Sequence, residues 1–438
     1  KSLLASGKPV LGICYGQQLI AKLLGGAVIK AEKREYGAQT ILPTCSQLIK
    51  QSGQVWMSHG DTVTKLPQGF KVTAGTHSCE IAAMENSEKK IFSVQFHPEV
   101  SHTHEGKEIL RRFLFEQAGC IGDWTSRNFI EESIDNIKDT GGNSKVLCAV
   151  SGGVDSTVAA ALIAKSVGHQ LKCVFVNHGL LRKHEPEEVQ ESFTSAIDAD
   201  FITIDASQQF LKALANVTDP EKKRKIIGEE FIRVFEQHAV EWQDCTFLAQ
   251  GTLYPDVIES GSPTAAKIKT HHNVGGIPSG MNMTLIEPLK WLFKDEVRQV
   301  GRELGLPDNL IEREPFPGPG LAVRILGEIT EERIRIVQEA DWIFRMELQK
   351  EGINKRIWQS YAALLDVRSV GVMGDERTYE HPIVLRAVES EDAMTARAVE
   401  IPFPLLEKIA SRIVNEVEGV NRVLYDLTSK PPATIEWE

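Results

Sequence analysis

The sequence predicts an α/β protein: two doubly wound α/β domains followed by a smaller C-terminal α+β unit. Three observations predict it. The apolar run from Val146 to Val150 leads into Ser151-Gly152-Gly153-Val154-Asp155-Ser156 and then an Ala- and Leu-rich stretch from Thr157 to Val167, the order of strand, glycine turn and helix. Further apolar strands at Leu171 to Val176, Phe201 to Ile204 and Thr246 to Ala249 alternate with helical stretches, which implies parallel strands joined by crossovers. Pro315-Phe316-Pro317-Gly318-Pro319-Gly320 breaks any helix, and the pattern changes after it. A chain of 438 residues is long enough for about three domains, placed at 1–120, 121–314 and 315–438.

Composition narrows the function classes. A net charge of −11 implies no broad basic face, so a nucleic-acid partner is not expected. Seven scattered cysteines with no Cys-x-x-Cys pair point to a reducing, cytoplasmic setting and away from structural zinc. No apolar run reaches membrane-spanning length and no signal peptide is visible, so no membrane partner is expected. The chain opens at Lys1 inside a segment that already reads as amphipathic, so a native start further upstream is expected.

In the first segment, Pro9 to Gln18 reads as a short strand running into a tight turn, followed by a helix through Leu24. Cys14 lies in the pattern Gly-x-Cys-x-Gly. Small neighbours permit a strained turn that lifts the side chain above the sheet, as in a nucleophile elbow. The helix N-terminus behind it is expected to depress the thiol pKa. A thiolate nucleophile needs a base, and the base an orienter. Gln95-Phe96-His97-Pro98-Glu99 follows the strand-like Lys90 to Val94. In an extended backbone His97 and Glu99 point the same way, so Glu99 can fix the imidazole. His59, in Met57-Ser58-His59-Gly60-Asp61, is a rival base without a carboxylate at the same spacing. His102 and His104 lack a third ligand and read as a loop pair.

In the middle segment, Trp124 to Lys138 has helical spacing and precedes the central strand. The turn at Ser151 to Ser156 is a phosphate cradle. Its glycines let the backbone approach an anion, and the first amides of the helix have no partner of their own. Asp155 is out of place beside an anion and points to a bridging Mg²⁺. This is no Walker loop, since no Lys-Ser/Thr follows the last glycine. Ligand is expected at the strand C-terminal ends, so Asn177 and Gln250-Gly251-Thr252 belong to the ligand edge. Lys222-Lys223-Arg224-Lys225 is a basic run in an acidic chain. Four consecutive cations repel, and a bound anion beside them explains the cluster better than a solvated face. Lys294 opens a second basic helix. His271-His272 reads as substrate contact or packing, because adjacent side chains cannot face one metal from a regular element.

In the last segment, Thr330 to Lys350 is a long amphipathic helix, and Val367 to Val372 and Ile383 to Val388 are strands. The chain ends Lys430-Pro431-Pro432-Ala433-Thr434-Ile435-Glu436-Trp437-Glu438, which reads as a tied-down terminus with Lys430 as a candidate phosphate contact.

These motifs carry a resemblance. Cys14, His97 and Glu99 in that order resemble the class I glutamine amidotransferases, and Ser-Gly-Gly-x-Asp-Ser resembles the loop of the ATP pyrophosphatases, of the adenine nucleotide α-hydrolase-like fold. Lys223-Arg224-Lys225-Ile226-Ile227-Gly228, Gln250-Gly251-Thr252, the Pro-Gly segment and the terminus together resemble the glutamine-hydrolysing GMP synthases. The resemblance implies that Cys14 attacks the glutamine amide, that His97 moves the proton, and that Ser58 to Asp61 lies near the glutamine pocket. It implies XMP, ATP and glutamine as substrates, with Mg²⁺, an adenylyl-XMP intermediate, and release of AMP and pyrophosphate. ATP and pyrophosphate would be held by Ser151, Gly152, Gly153, Val154, Asp155, Ser156, Val176 and Lys294, with Asp155 on the metal. XMP would be held by Arg224, Gln250, Gly251, Thr252, Lys430, Ile435 and Glu436. The C-terminal unit would form a homodimer. The family's oxyanion hole draws on a glycine loop upstream of the nucleophile, and none stands before Pro9, so a chain truly starting at Lys1 is expected to have weak or absent glutaminase activity. The stretch Glu259 to Thr270 reads as about three residues short of the family's lid loop, which leaves Lys267 and Lys269 without an assigned role. Two other readings compete: an amide-forming synthetase of the NAD type, against which the C-terminal unit argues, and a non-catalytic nucleotide or glutamine sensor, which would need neither nucleophile nor base.

Overall fold

The computed structural model describes residues 2–438 except 101, 143, 261–282, 374, 391, 392 and 394. Lys267, Lys269 and the His271-His272 pair lie outside the described residues. The chain forms two compact units, Lys1–Thr125 and Ser126–Glu438.

The first unit is built on a six-stranded mixed sheet. Its strands are β1 (Val10–Ile13), β2 (Ala27–Pro43), β3 (Gly53–Lys65), β4 (Lys71–Gly75), β5 (Ala83–Asn86) and β6 (Ile91–Val94), in the order β1-β6-β5-β4-β2-β3. β1 and β6 run parallel, with Ile13 opposite Val94. That pairing brings the residue after β1, Cys14, beside the residue after β6, Gln95. β2 and β3 form a long antiparallel hairpin in which Glu35 faces His59. The Tyr15–Leu23 helix buries Ile20 and Ala21 against Val63, Ile81, Met84 and Ile91, the apolar stripe expected at helical spacing.

The second unit contains a parallel five-stranded sheet of β7 (Lys145–Val150), β8 (Leu171–Asn177), β9 (Asp200–Asp205), β10 (Cys245–Ala249) and β11 (Thr284–Ile286), ordered β11-β10-β7-β8-β9. The order reverses between β7 and β10, which is where an open α/β sheet offers a ligand crevice at its strand C-termini. The Val154–Val167 helix is buried on nearly every side, and Ala159, Ala160 and Ala161 let it approach its neighbours closely. The predicted strands here all form, each extended by one or two residues.

After the Pro-Gly segment, Thr330 caps the Glu331–Lys350 helix by accepting a hydrogen bond from the Arg333 amide. A second five-stranded sheet follows, of β12 (Gln359–Leu364), β13 (Ser369–Met373), β14 (Glu376–Glu389), β15 (Arg397–Ala398) and β16 (Val420–Tyr425). The long β14 is its spine: it pairs with β12, β13, β15 and β16. One continuous apolar core joins Leu147, Val174 and Trp242 to Ile336, Phe344 and Leu385. Sheet and helices on both sides of the Pro-Gly segment therefore share an interior. Among the described residues no helix is long and apolar enough to cross a membrane.

Candidate functional site

Cys14 stands in the turn between β1 and the Tyr15–Leu23 helix with φ 50° and ψ −105°, a backbone conformation strained for a side chain. Of its two neighbouring glycines only Gly12 is crowded: a Cβ there would lie 2.5 Å from Ile20 Cδ1 and 2.9 Å from the Gly16 carbonyl carbon. Gly16 faces open space. The thiol does not behave as the helix N-terminus alone predicts. Burial pushes its pKa up, and the Glu99 carboxylate adds to this, while hydrogen bonds from the Tyr15 amide and the Gln95 side chain act the other way. Partial burial outweighs the two hydrogen bonds at this site.

His97 Nδ1 lies 2.6 Å from Glu99 Oε1, as the spacing predicted. The route differs from the expected extended strand, because β6 ends at Val94 and Pro98 and Glu99 occupy a turn. The His97 amide donates to the Trp56 carbonyl at 2.9 Å, and Thr103 Oγ1 donates to the His97 carbonyl at 2.6 Å, so the imidazole stands on a fixed backbone. His59 is placed otherwise. It is 4% exposed, with Nδ1 2.9 Å from the Asp61 carbonyl and Nε2 2.9 Å from Glu35 Oε2. Both ring nitrogens are engaged. Its carboxylate partner comes from the facing strand of the hairpin, 24 residues earlier, where a search for local spacing does not reach.

At the end of β7, Gly152 has φ +78°, and a Cβ there would lie 2.7 Å from Val189 Cγ2, so only glycine fits. Gly153 is the N-cap of the Val154–Val167 helix and offers no side-chain cap. Ser156 Oγ accepts from the Ser151 amide at 3.2 Å and donates to the Gly153 carbonyl at 3.1 Å, which closes the loop into a cradle. Lys294 Nζ sits 2.7 Å from Asp155 Oδ2, whereas Asp155 Oδ1 is buried with no hydrogen-bond partner. Val176 lies near the end of the adjacent β8. Gly251, after β10, packs on the same loop, its Cα facing the Asp155–Ser156 peptide. Gln250 is fixed by its amide donating to the Ile286 carbonyl at 3.0 Å, and Thr252 is buried beside them. Sequence reasoning missed Arg313. Its guanidinium donates to the Gly152 carbonyl at 2.8 Å and to Glu185 Oε1 at 2.5 Å, bracing the loop from behind.

The remaining predicted residues gather at the C-terminal tail. Arg224 donates to Glu221 Oε1 and to the Glu438 backbone, each at 2.5 Å. Its neighbour Lys223 is fully buried, donating to the Ile325 carbonyl at 2.6 Å and to Glu438 Oε2 at 2.7 Å. Burial pushes the Lys223 pKa down against the pull of Glu438. The basic run is thus spread around a helix, and part of it is answered by the protein's own acids. Glu436 accepts from Arg324 Nη2 at 3.0 Å and from Gln359 Nε2 at 2.7 Å. The Ile435 carbonyl accepts from Tyr361 Oη at 2.7 Å and from Arg386 Nε at 2.9 Å. Lys430 Nζ donates to the Ala393 carbonyl at 2.8 Å. Arg324, Arg386 and Gln359 escaped the sequence reading because nothing in their spacing ties them to residues some 50 to 110 positions away.

Residues 1–117 match the class-I glutamine amidotransferase family, residues 144–238 a family described as the tRNA methyl transferase HUP domain, and residues 346–437 the GMP synthase C terminal domain. The glutamine-hydrolyzing GMP synthase of Carboxydothermus hydrogenoformans is 58% identical over 434 residues, covering 98% of this chain and 85% of that protein. Its counterpart in Caldicellulosiruptor saccharolyticus is 57% identical over 443 residues, covering 100% of this chain and 87% of the relative. A Clostridium botulinum protein of the same name is 56% identical over 442 residues, with the same coverage. Likeness on this scale extends through the Cys14 elbow, the Ser151–Ser156 loop and the tail alike, and the chain belongs to the glutamine-hydrolysing GMP synthase family.

Proposed function

We propose that the chain aminates XMP to GMP at the expense of ATP, with nitrogen drawn from glutamine, in three functional parts at 1–120, 121–314 and 315–438. The observation that carries this reading is the presence in one chain of a strained Cys14 elbow with a His97–Glu99 pair and a glycine cradle at a helix mouth. Cys14 attacks the amide carbon of glutamine, ammonia leaves, and water releases glutamate from the thioester. With Nδ1 turned to Glu99, the other ring nitrogen of His97 is available to take and return the proton. In the second reaction an oxo oxygen of XMP attacks the α-phosphorus of ATP and pyrophosphate departs. Ammonia then displaces AMP. An amide-like carbonyl is a poor electrophile until its oxygen becomes a good leaving group, which is the work of the adenylyl step.

The loop Ser151, Gly152, Gly153, Val154, Asp155 and Ser156 faces the departing pyrophosphate with helix N-terminal amides and hydroxyls, Val176 borders it, and Lys294 supplies a cation. The partnerless Asp155 Oδ1 fits a Mg²⁺ ion, which when bound supplies charge neutralisation at the phosphates. Arg224, Gln250, Gly251, Thr252, Lys430, Ile435 and Glu436 hold XMP in this reading, with Arg224 and Lys430 exchanging their present partners for phosphate. Val370, Val372 and Tyr379 are large exposed apolar residues on β13 and β14, which supports pairing with a second copy as a homodimer. Seven free cysteines suit a cytoplasmic location. The test is an AMP-release assay with XMP or deamido-NAD as acceptor. XMP-dependent AMP and pyrophosphate are expected; ADP as product, or no dependence on XMP, would end the reading.

A further inference from the structure

We propose that Gln95 is a further catalytic residue, whose carboxamide N–H donates to the Cys14 sulfur and favours the anionic nucleophile, aimed there by a buried relay that starts at Glu35. The proposal rests on Cys14 being the nucleophile. Gln95 is fully buried and its Nε2 lies 3.7 Å from Cys14 Sγ. Which end of a carboxamide faces the sulfur decides whether it helps or hinders, and here the neighbours fix it. The Asp61 carbonyl can only accept, so Gln18, 2.9 Å away, must present its NH₂. An NH₂ group can only donate, so the Gln95 atom 3.3 Å from Gln18 Nε2 must be oxygen. The NH₂ of Gln95 is thereby turned to the sulfur.

The far end of the relay is anchored as firmly. Asp61 carbonyl also faces His59 Nδ1, and His59 Nε2 faces Glu35. Glu35 accepts in addition from Thr76 Oγ1 at 2.8 Å and Ser78 Oγ at 2.5 Å. Gln95, His59 and Glu35 are each more than nine-tenths buried, so water does not compete for these links. Besides Gln95 the thiol meets the Tyr15 amide, which also favours the anion, and the Ser58 carbonyl at 3.7 Å. A carbonyl can hold S–H but repels a sulfur anion. With burial and Glu99 also opposing ionisation, a fixed N–H dipole at the sulfur is the side-chain feature that favours it, and it needs no reorganisation when the charge forms.

The test reads Cys14 directly, by iodoacetamide alkylation of its peptide across pH, with exposed Cys45 and Cys120 as internal references. In Gln95→Leu the midpoint of the alkylation profile should rise by about one pH unit, about tenfold in thiolate at neutral pH, the usual worth of a hydrogen bond to a charged group. Gln95→Glu, of the same shape, should raise it further. Gln18→Leu leaves Gln95 present but free to turn, and should shift the midpoint the same way by less. Unchanged midpoints in the Gln95 variants, with native circular dichroism, overturn the proposal. If neither Gln95 variant folds, an unchanged midpoint in Gln18→Leu overturns it. A shifted midpoint in a protein without glutamine-dependent turnover would sink the proposed reaction and leave the role of Gln95 standing.

Discussion

Replacing Gly251 by alanine tests whether the crevice between β7 and β10 is the ATP site. Gly251 needs no special backbone conformation, so alanine acts only through its added carbon. That Cβ would lie 2.9 Å from both the Asp155 carbonyl carbon and the Ser156 nitrogen, and 3.1 Å from the Asp155 oxygen. Ordinary contact begins near 3.4 Å, and these are backbone atoms that cannot swing aside, so the loop must move by about 0.5 Å. Overpacking of this kind costs about 1–3 kcal/mol. The same displacement disturbs the 2.7 Å pairing of Asp155 with Lys294 and the direction of the first helical amides. Misplacement by 1 Å can cost about a hundredfold in rate, so kcat/KM for ATP should fall about tenfold or more. The assay is pyrophosphate release with XMP and ammonium chloride, which bypasses glutamine. Gly228→Ala is the control for added methyl groups, since a Cβ there meets nothing within 4 Å. Gly251→Ala with kcat/KM for ATP within about twofold of the parent would refute the reasoning.

Other expectations concern separate links. Cys14→Ala should abolish glutamine-dependent GMP formation and retain the ammonia-dependent reaction; equal loss of both would contradict distinct sites. Gly106→Ala should act in the same direction, because a Cβ there collides with the Pro98 carbonyl and displaces the His97–Glu99 turn. Native-like glutamine turnover in that variant would show the turn to be pliable. Arg386 is fully buried, and its guanidinium donates to Asp426 and to the Thr428, Thr434 and Ile435 carbonyls. Arg386→Lys should cost about 3 kcal/mol and expose the last residues to limited proteolysis, with a raised KM for XMP; an unchanged cleavage pattern would refute this. The Glu347 side chain is 1% exposed, and Lys350, Lys408 and Arg412 lower its pKa from 4.5 to about 2 against the effect of burial. A lowered carboxylate pKa stabilises the fold fully above pH 4.5 and the benefit is lost as pH falls toward 2. Glu347→Gln should therefore be less stable than the parent at neutral pH and lose less on acidification through that window. Parallel acid-unfolding curves for the two proteins would count against it.

Local patterns told most of the fold and half of each candidate site. Strand, glycine turn and helix at Val146 to Val167 is a contiguous signal, because a phosphate cradle needs its parts in that order, and the strands predicted around it are present. His97 and Glu99 were readable as a pair since two residues apart suffices for contact, although a turn delivers them where a strand was expected. The thiol's pKa went the other way because burial is a property of the packed unit and the helix dipole a property of one segment.

What the chain by itself determined, then, are the pieces whose chemistry is local: the elbow at Cys14, the cradle at Ser151 to Ser156, the capped helix after Thr330. Only the tertiary structure decided who meets whom across the sheets. Hairpin register sets Glu35 on His59, the reversal of strand order sets Gly251 on the Ser151–Ser156 loop, and the tail lays Glu436 on Arg324. The physical reason is that a buried polar group must find a partner wherever the fold supplies one, and that partner's distance along the chain leaves no periodic trace in the sequence.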